Sequence, residues 1–315
     1  MNLFRRLALS TYYYGTYPYR RAALQRQAAQ GNAPISVLFY HRVADTHPNG
    51  WTMTRKSFAR QMEWLQNNTE LISLAEVQQR MLPGNSPRPA VSVTFDDGYA
   101  ENCEFALPLL IEAKIPVTYL VSLDFVTSGR SFPHDKERGQ HLAPNTIDQL
   151  REMVDAGIEI GAHTDTHPSM GSIKDPDEMR REMVEATLEL GDLVGQPIRY
   201  FAYPFGQSEN LDADAARMAA EEAGIQAVCS AFGAYNLPGN DPFHIRRIHG
   251  DPEFTRWRNW VSVDPRKVNE GQDVGNELEM SDSLSYWVKP SVSGKSVSST
   301  SSSNTKTRQS TGVNQ

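Results

Sequence analysis

Short runs of branched and aromatic residues alternate along this chain with longer stretches whose apolar positions recur every three or four residues. The first pattern suits strands buried on both faces, the second helices with one buried face. Ile35-Ser36-Val37-Leu38-Phe39-Tyr40 predicts a buried strand with His41-Arg42 at its exit. Phe58, Met62 and Leu65 predict a helix over 57–67, and 71–74 reads as a short strand. A helix over 76–81 precedes the breaker Pro83-Gly84-Asn85-Ser86-Pro87. Val91-Ser92-Val93-Thr94-Phe95 is the next strand, 106–113 a helix and 117–121 a strand rich in branched residues. Residues 125–144, polar and punctuated by glycine and proline, predict a loop. Asn145 or Thr146 caps a helix carrying Leu150, Met153 and Val154, and Gly157 ends it. Strands over 158–161, 198–203 and 225–229 and helices over 177–193 and 211–223 continue the series.

Strands that alternate with helices of this length predict an α/β fold, a parallel sheet with helices outside, either open or closed as a barrel. In both forms the active site gathers at the C-terminal ends of the strands. Asp96, Asp97, His163 and Pro204-Phe205-Gly206 all lie just beyond predicted strand ends, so one shared site is expected.

Composition narrows the picture. At 315 residues and 39% hydrophobic content, the chain can build one large core or two modest ones. A formal charge of −7, with no long basic stripe, argues against a nucleic-acid partner. Cys103 and Cys229, the two cysteines, cannot form a stapled framework and read as buried thiols. Arg5 and Arg6 precede Leu7-Ala8-Leu9, but the apolar run then ends, too short for an ordinary signal peptide or a membrane span. A cytoplasmic protein is the default expectation. Residues 1–32 predict a helical or irregular extension packed on the domain, although their Arg, Tyr and Leu content also suits peripheral contact with a membrane surface. Residues 33–262 form the expected catalytic domain and 263–290 a C-terminal extension. Residues 291–315, mostly Ser, Thr, Asn and Lys without an aromatic, predict a disordered tail.

The chemistry concentrates in two motifs. Phe95-Asp96-Asp97-Gly98 puts two carboxylates at a strand end, and His163-Thr164-Asp165-Thr166-His167 puts two imidazoles four residues apart. Carboxylate and imidazole are good ligands for a borderline divalent cation such as zinc. Side chains of adjacent residues diverge along an extended strand, so the two aspartates cannot easily share one cation. A division of labour follows, one ligand and one base, in a metallohydrolase.

These residues resemble the polysaccharide deacetylase family, the NodB homology domain of carbohydrate esterase family 4. Thr94-Phe95-Asp96-Asp97-Gly98 matches its first motif, 163–167 its histidine motif, and Phe201-Ala202-Tyr203-Pro204-Phe205-Gly206 a variant of its third; the likeness spans roughly residues 33–250. The resemblance implies a distorted (β/α) barrel, usually of seven strands, and hydrolysis of N-acetyl, sometimes O-acetyl, groups on carbohydrate polymers. It implies Asp97, His163 and His167 as ligands of a divalent metal, zinc first, with cobalt, nickel or manganese able to substitute. It also implies Asp96 as general base and the Phe205 N–H as oxyanion donor.

Two positions depart from the common pattern. The late Leu-x-His motif that supplies the acid histidine is absent, whereas Leu38-Phe39-Tyr40-His41 resembles the circularly permuted arrangement of the poly-N-acetylglucosamine deacetylases. His41 is therefore the expected acid and His249 the alternative. Where the third motif commonly carries an arginine that orients the base, this chain has Ala202, and Arg247 is the candidate replacement.

Plainer roles compete. Asp96 and Asp97 also suit a helix cap, the histidines a structural role, and Arg247 a salt bridge at the core rim. Tyr203, Phe205, Trp51, Trp257 and Trp260 suit either packing or sugar contact. Two other functions fit parts of the pattern: a non-catalytic carbohydrate-binding protein on a degenerate scaffold, or an amidase for small cyclic or linear amides.

Overall fold

The structure is a computed structural model, and it describes residues 3–267. The 291–315 tail and most of the 263–290 extension lie outside the described residues. The core is a nine-stranded sheet, all of whose strand pairs are parallel. Its strands are β1 (Ile35–Tyr40), β2 (Glu70–Leu71), β3 (Ala90–Phe95), β4 (Val117–Val121), β5 (Glu159–Ala162), β6 (Tyr200–Ala202), β7 (Ala227–Ser230), β8 (His244–Arg246) and β9 (Ile248–His249). Across the sheet the order is β8-β7-β6-β5-β4-β3-β1-β9, with β2 paired to the start of β3. Only Arg247 separates β8, which pairs with β7, from β9, which pairs with β1. That last segment joins the two edges of the sheet and brings it close to a closed barrel, the distorted α/β barrel expected for a NodB-like chain.

Burial accounts for the strands. Every residue of β1, β3 and β4 is buried, so these strands carry continuous apolar runs instead of alternation. Helices start where side chains can satisfy their free N–H groups. Ser73 with Glu76 and Thr146 with Gln149 form reciprocal capping boxes, and Asp212 accepts from the Ala215 N–H.

Three local expectations are corrected. Ile72, Ser73 and Leu74 do not extend a strand, because Ser73 caps the helix Leu74–Met81 and leaves only Glu70–Leu71 paired. The stretch 125–144 is not a plain loop: it contributes to the helix Leu123–Ser128 and forms the helix Pro133–Lys136. Its Phe125, Phe132 and Leu142 cluster with Tyr99, an apolar anchor hidden among polar neighbours. The helix expected over 177–193 is interrupted by a π-helical turn, Arg181–Glu185, between Pro176–Arg180 and Ala186–Val194.

The N-terminal helix, Leu3–Ala29, lies against Phe254–Val261. Arg20 donates to the Asn259 side chain at 2.9 Å, Tyr12 to Asp264 at 2.8 Å, and the Arg258 guanidinium sits 3.9 Å from the Tyr13 ring centre. Among the described residues no helix is long and apolar enough to cross a membrane. Cys103 and Cys229 are both free, the first half-buried and the second fully buried, with burial pushing the Cys229 thiol up to about 12.

Candidate metal centre and its flanking groups

β3 delivers Asp96 and Asp97 to the rim at its C-terminal end, and the turn that follows sends them apart. Asp97 has φ 73° and Gly98 φ 90°. Left-handed backbone is uncommon for a side-chain-bearing residue and clusters at functional sites. β5 ends one residue before His163, and Thr164 (φ 69°) and His167 (φ 65°) turn the chain back so that both imidazoles face Asp97. The Asp97 Oδ1 lies 3.5 Å from His163 Nε2 and 3.3 Å from His167 Nε2, and the three ligand atoms fall within 4.8 Å of one another.

This cluster fits a divalent cation on three grounds. Two ligands each about 2.0–2.1 Å from a tetrahedral zinc lie roughly 3.3 Å apart, the separation found here. Asp97 Oδ1 is buried and, among the described residues, has no hydrogen-bond partner, a costly arrangement for a carboxylate unless a cation completes it. Finally, His163 Nδ1 donates to the Ala202 carbonyl at 2.7 Å, which fixes the tautomer and leaves the Nε2 lone pair toward Asp97. Burial opposes charge on Asp97, but His163 and His167 outweigh it and hold its carboxyl well below the usual range. For His163 burial acts downward, and Asp97 and Asp96 outweigh it to raise the imidazole.

Asp96 occupies a different environment. Its two oxygens accept from Arg247 Nη1 at 2.6 Å and Nη2 at 2.9 Å, a two-bond clamp. The fully buried Arg247 also donates to the Ser230 carbonyl at 3.1 Å and to Thr94 Oγ1 at 3.2 Å, and lies 4.9 Å from the Phe39 ring centre. Burial pushes Asp96 up, and Arg247 followed by His163 overcomes it, leaving the carboxyl below its ordinary value. The arginine comes from the seam between β8 and β9, while Ala202 is buried on β6 and gives its carbonyl to His163.

On one side of this pair stands His41, just past β1. Its ring lies 4.7 Å from Trp51, and its Nδ1 is buried without a partner among the described residues. Burial lowers its pKa, and Asp97 and Asp96 pull the other way. His249 is a neighbour of the same cluster, 5.7 Å from Trp51 and 5.3 Å from Phe39, and burial, then His41, drives it down to about 4. On the other side Phe205, with φ 63°, exposes 59% of its surface and sets its ring 5.4 Å from His167. Trp51 is 45% exposed, so both aromatics can meet a ligand. Trp257 and Tyr203 cannot. The first is fully buried against Trp64, and the second buries its ring and donates to the Asp212 carbonyl.

The seven residues expected to act, Asp96, Asp97, His163, His167, His41, Arg247 and Phe205, therefore meet around one rim. Sequence reasoning missed Glu182, whose carboxylate accepts from the N–H groups of Asp165 and Thr166 inside the histidine motif, both at 2.9 Å. Its position in an amphipathic helix gave no signal beyond a charged residue beside two apolar ones.

Comparison with known proteins agrees with the motifs. A family model described as polysaccharide deacetylase matches residues 83–228, which contain the paired aspartates, the histidine motif and Phe205. The Bacillus subtilis (strain 168) protein YxkH is 26% identical over 195 residues, covering 61% of this chain and 64% of its own, so the chain spans less than two thirds of that relative. IcaB from Ammonifex degensii is similar at 25% identity and TM-score 0.61, covering 73% of this chain and 97% of its own. The Streptococcus pyogenes deacetylase PplD, solved in complex with acetate, shares the fold at 20% identity and TM-score 0.62, covering 74% of this chain and 99% of its own. Motifs, barrel and family model agree: over residues 83–228 the chain is similar to the polysaccharide deacetylases.

Proposed function

We propose that the protein is a metal-dependent hydrolase that removes N-acetyl groups, or O-acetyl groups, from a carbohydrate polymer or oligosaccharide. The observation that carries this reading is the buried triad of Asp97, His163 and His167 beside a second carboxylate that is held separately by Arg247. Similarity to polysaccharide deacetylases supports a glycan substrate, and PplD, similar in fold, was solved with acetate, the product such a reaction releases.

Asp97, His163 and His167 would hold the cation, with zinc the best match to two imidazoles and a carboxylate. Such a cation supplies Lewis-acid polarisation of the acyl carbonyl and lowers the pKa of the attacking water. Asp96 accepts the water's proton, and the Arg247 clamp keeps its carboxylate ionised and correctly aimed. The Phe205 N–H stabilises the charge that develops on the carbonyl oxygen. His41 gives a proton to the departing nitrogen as the C–N bond breaks and the new C–O bond remains with acetate. Trp51 and Phe205 flank the rim and offer apolar faces to sugar rings.

Acetate release from partly acetylated glucosamine oligomers, measured together with the metal content of the purified protein, tests this. Release that needs about one divalent cation per chain is expected. A protein that holds no metal and deacetylates no glycan overturns it, and tight glycan binding without turnover would mark it as a binding protein instead.

A further inference from the structure

The histidine motif has to hold two ligands on a loop whose backbone is left-handed at Thr164 and at His167. Within the motif, the His167 N–H donates to Thr164 Oγ1 at 2.9 Å, and Ser122 Oγ holds the His163 carbonyl at 2.7 Å. The two residues next to those contacts, Asp165 and Thr166, are gripped from outside. Both of their N–H groups donate to Glu182 Oε2 at 2.9 Å, and Thr166 Oγ1 donates to Glu182 Oε1 at 2.5 Å. Glu182 is 5% exposed, so its charge is buried, and both oxygens are used by the loop. Burial of a carboxylate is tolerated when its oxygens are fully hydrogen-bonded, and bonds to a charged acceptor are about twice as strong as neutral ones.

The helix around Glu182 is shaped for this contact. Arg181, the preceding residue, donates from Nε to Asp165 Oδ2 at 3.0 Å, so two consecutive side chains reach the same short loop. Consecutive side chains of a regular α-helix diverge by about 100°, a quarter turn or more. Here the two belong to the π-helical turn Arg181–Glu185, in which Glu182, Met183 and Val184 are all buried. A π turn inserts a residue and changes which side chains face inward, and such turns are frequent at functional sites.

We propose that Glu182 is a positioning residue for the metal centre: by fixing the Asp165–Thr166 backbone, it sets His163 and His167 at the separation a cation needs. The π turn aims Glu182 and Arg181 at the loop while Met183 and Val184 stay in the core. The proposal rests on the reading of Asp97, His163 and His167 as a metal site.

The test is zinc affinity of the full chain, by competition with a chromophoric chelator, with the visible spectrum of the cobalt-loaded protein and thermal stability measured in parallel. Glu182→Ala is expected to weaken zinc binding by about 10–100-fold, the usual scale for losing an outer hydrogen-bond partner of a ligand, and to change the cobalt spectrum. Glu182→Gln, which keeps an oxygen for the two N–H groups and turns its amide toward the Thr166 hydroxyl, is expected to restore most of that affinity. If the alanine variant does not fold, Glu182→Asp takes its place, because it keeps the charge but withdraws it by one methylene. Wild type that binds zinc, with variants that match its affinity and spectrum and merely melt earlier, would overturn the positioning role alone. Wild type that binds no zinc would overturn the metal reading beneath it.

Discussion

Two halves of the rim are built differently. On one half, Asp96 and Arg247 stand at strand ends and at the barrel seam, and every oxygen of the carboxylate is satisfied by the guanidinium. On the other, Asp97, Thr164, His167 and Phe205 all take left-handed backbone, and the buried Asp97 Oδ1 has no hydrogen bond among the described residues. The strand-borne half is complete as it stands. The loop-borne half is held in shape by Glu182 and is completed by a cation. Neighbouring residues of one motif thus meet different partners, a guanidinium for Asp96 and two imidazoles for Asp97, which under the proposed function suits them to two tasks.

The largest effect should come from the loop-borne half. Removing the cation with a strong chelator, or replacing His163 with Ala, is expected to reduce acetate release below detection. Added zinc or cobalt should restore the chelated enzyme but not the variant, since the first loses only the ion and the second a ligand. Recovery of the variant by metal would show that His163 is dispensable to the site.

The strand-borne half should fail through stability. Arg247→Ala leaves the Asp96 charge buried without its partner, which costs about 3–5 kcal/mol of unfolding free energy. An Asp96→Asn, Arg247→Met double variant, in which neither charge remains, should recover much of that loss in urea titrations without recovering turnover. Equal destabilisation of single and double variants would mean that the arginine stabilises the seam by packing, not by pairing.

His41 gives a smaller effect. His41→Ala is expected to keep its metal and lose on the order of 10²-fold in turnover of N-acetyl substrates, with less loss on O-acetyl ones, whose leaving group needs less protonation. Full amide turnover in that variant, and none in His249→Ala, would move the acid role to His249.

The last effect is on stability and lies at His244 in the barrel seam. His244 is buried with its ring nitrogen 2.8 Å from Ser230 Oγ, and burial drives its pKa from 6.5 to about 3. The unfolded chain takes up that proton first. The stability conferred by neutral His244 is therefore complete above pH 6.5 and drains as pH falls toward 3. His244→Gln should flatten that acid limb in a series of urea titrations, and an unchanged slope would place the sensitivity elsewhere.

Much of this was legible in the sequence because apolar strands and their exits are written locally. Ile35–Tyr40 and Val117–Val121 have the predicted bounds, since strands buried on both faces leave unbroken apolar runs. The seam strands His244–Arg246 and Ile248–His249 were not legible. Each is two or three residues long, and His244, Arg246 and His249 interrupt the apolar run, so no strand pattern stands out on either side of the fully buried Arg247. The π turn and the grip of Glu182 were hidden for a related reason. A buried glutamate in a helix is distinguished from a solvated one only by the loop it meets in space. The Phe125, Phe132 and Leu142 cluster was masked by glycine and proline in the same stretch.

The division of labour between Asp96 and Asp97 is tested most directly by the metal content of two single variants, Asp96→Asn and Asp97→Asn, each assayed for acetate release from acetylated glucosamine oligomers. Asp96→Asn should retain about one cation per chain and lose roughly 10²–10⁴-fold in turnover, the range for removing a general base, whereas Asp97→Asn should be inactive because the cation is gone. Loss of the cation from Asp96→Asn with retention in Asp97→Asn would contradict the account.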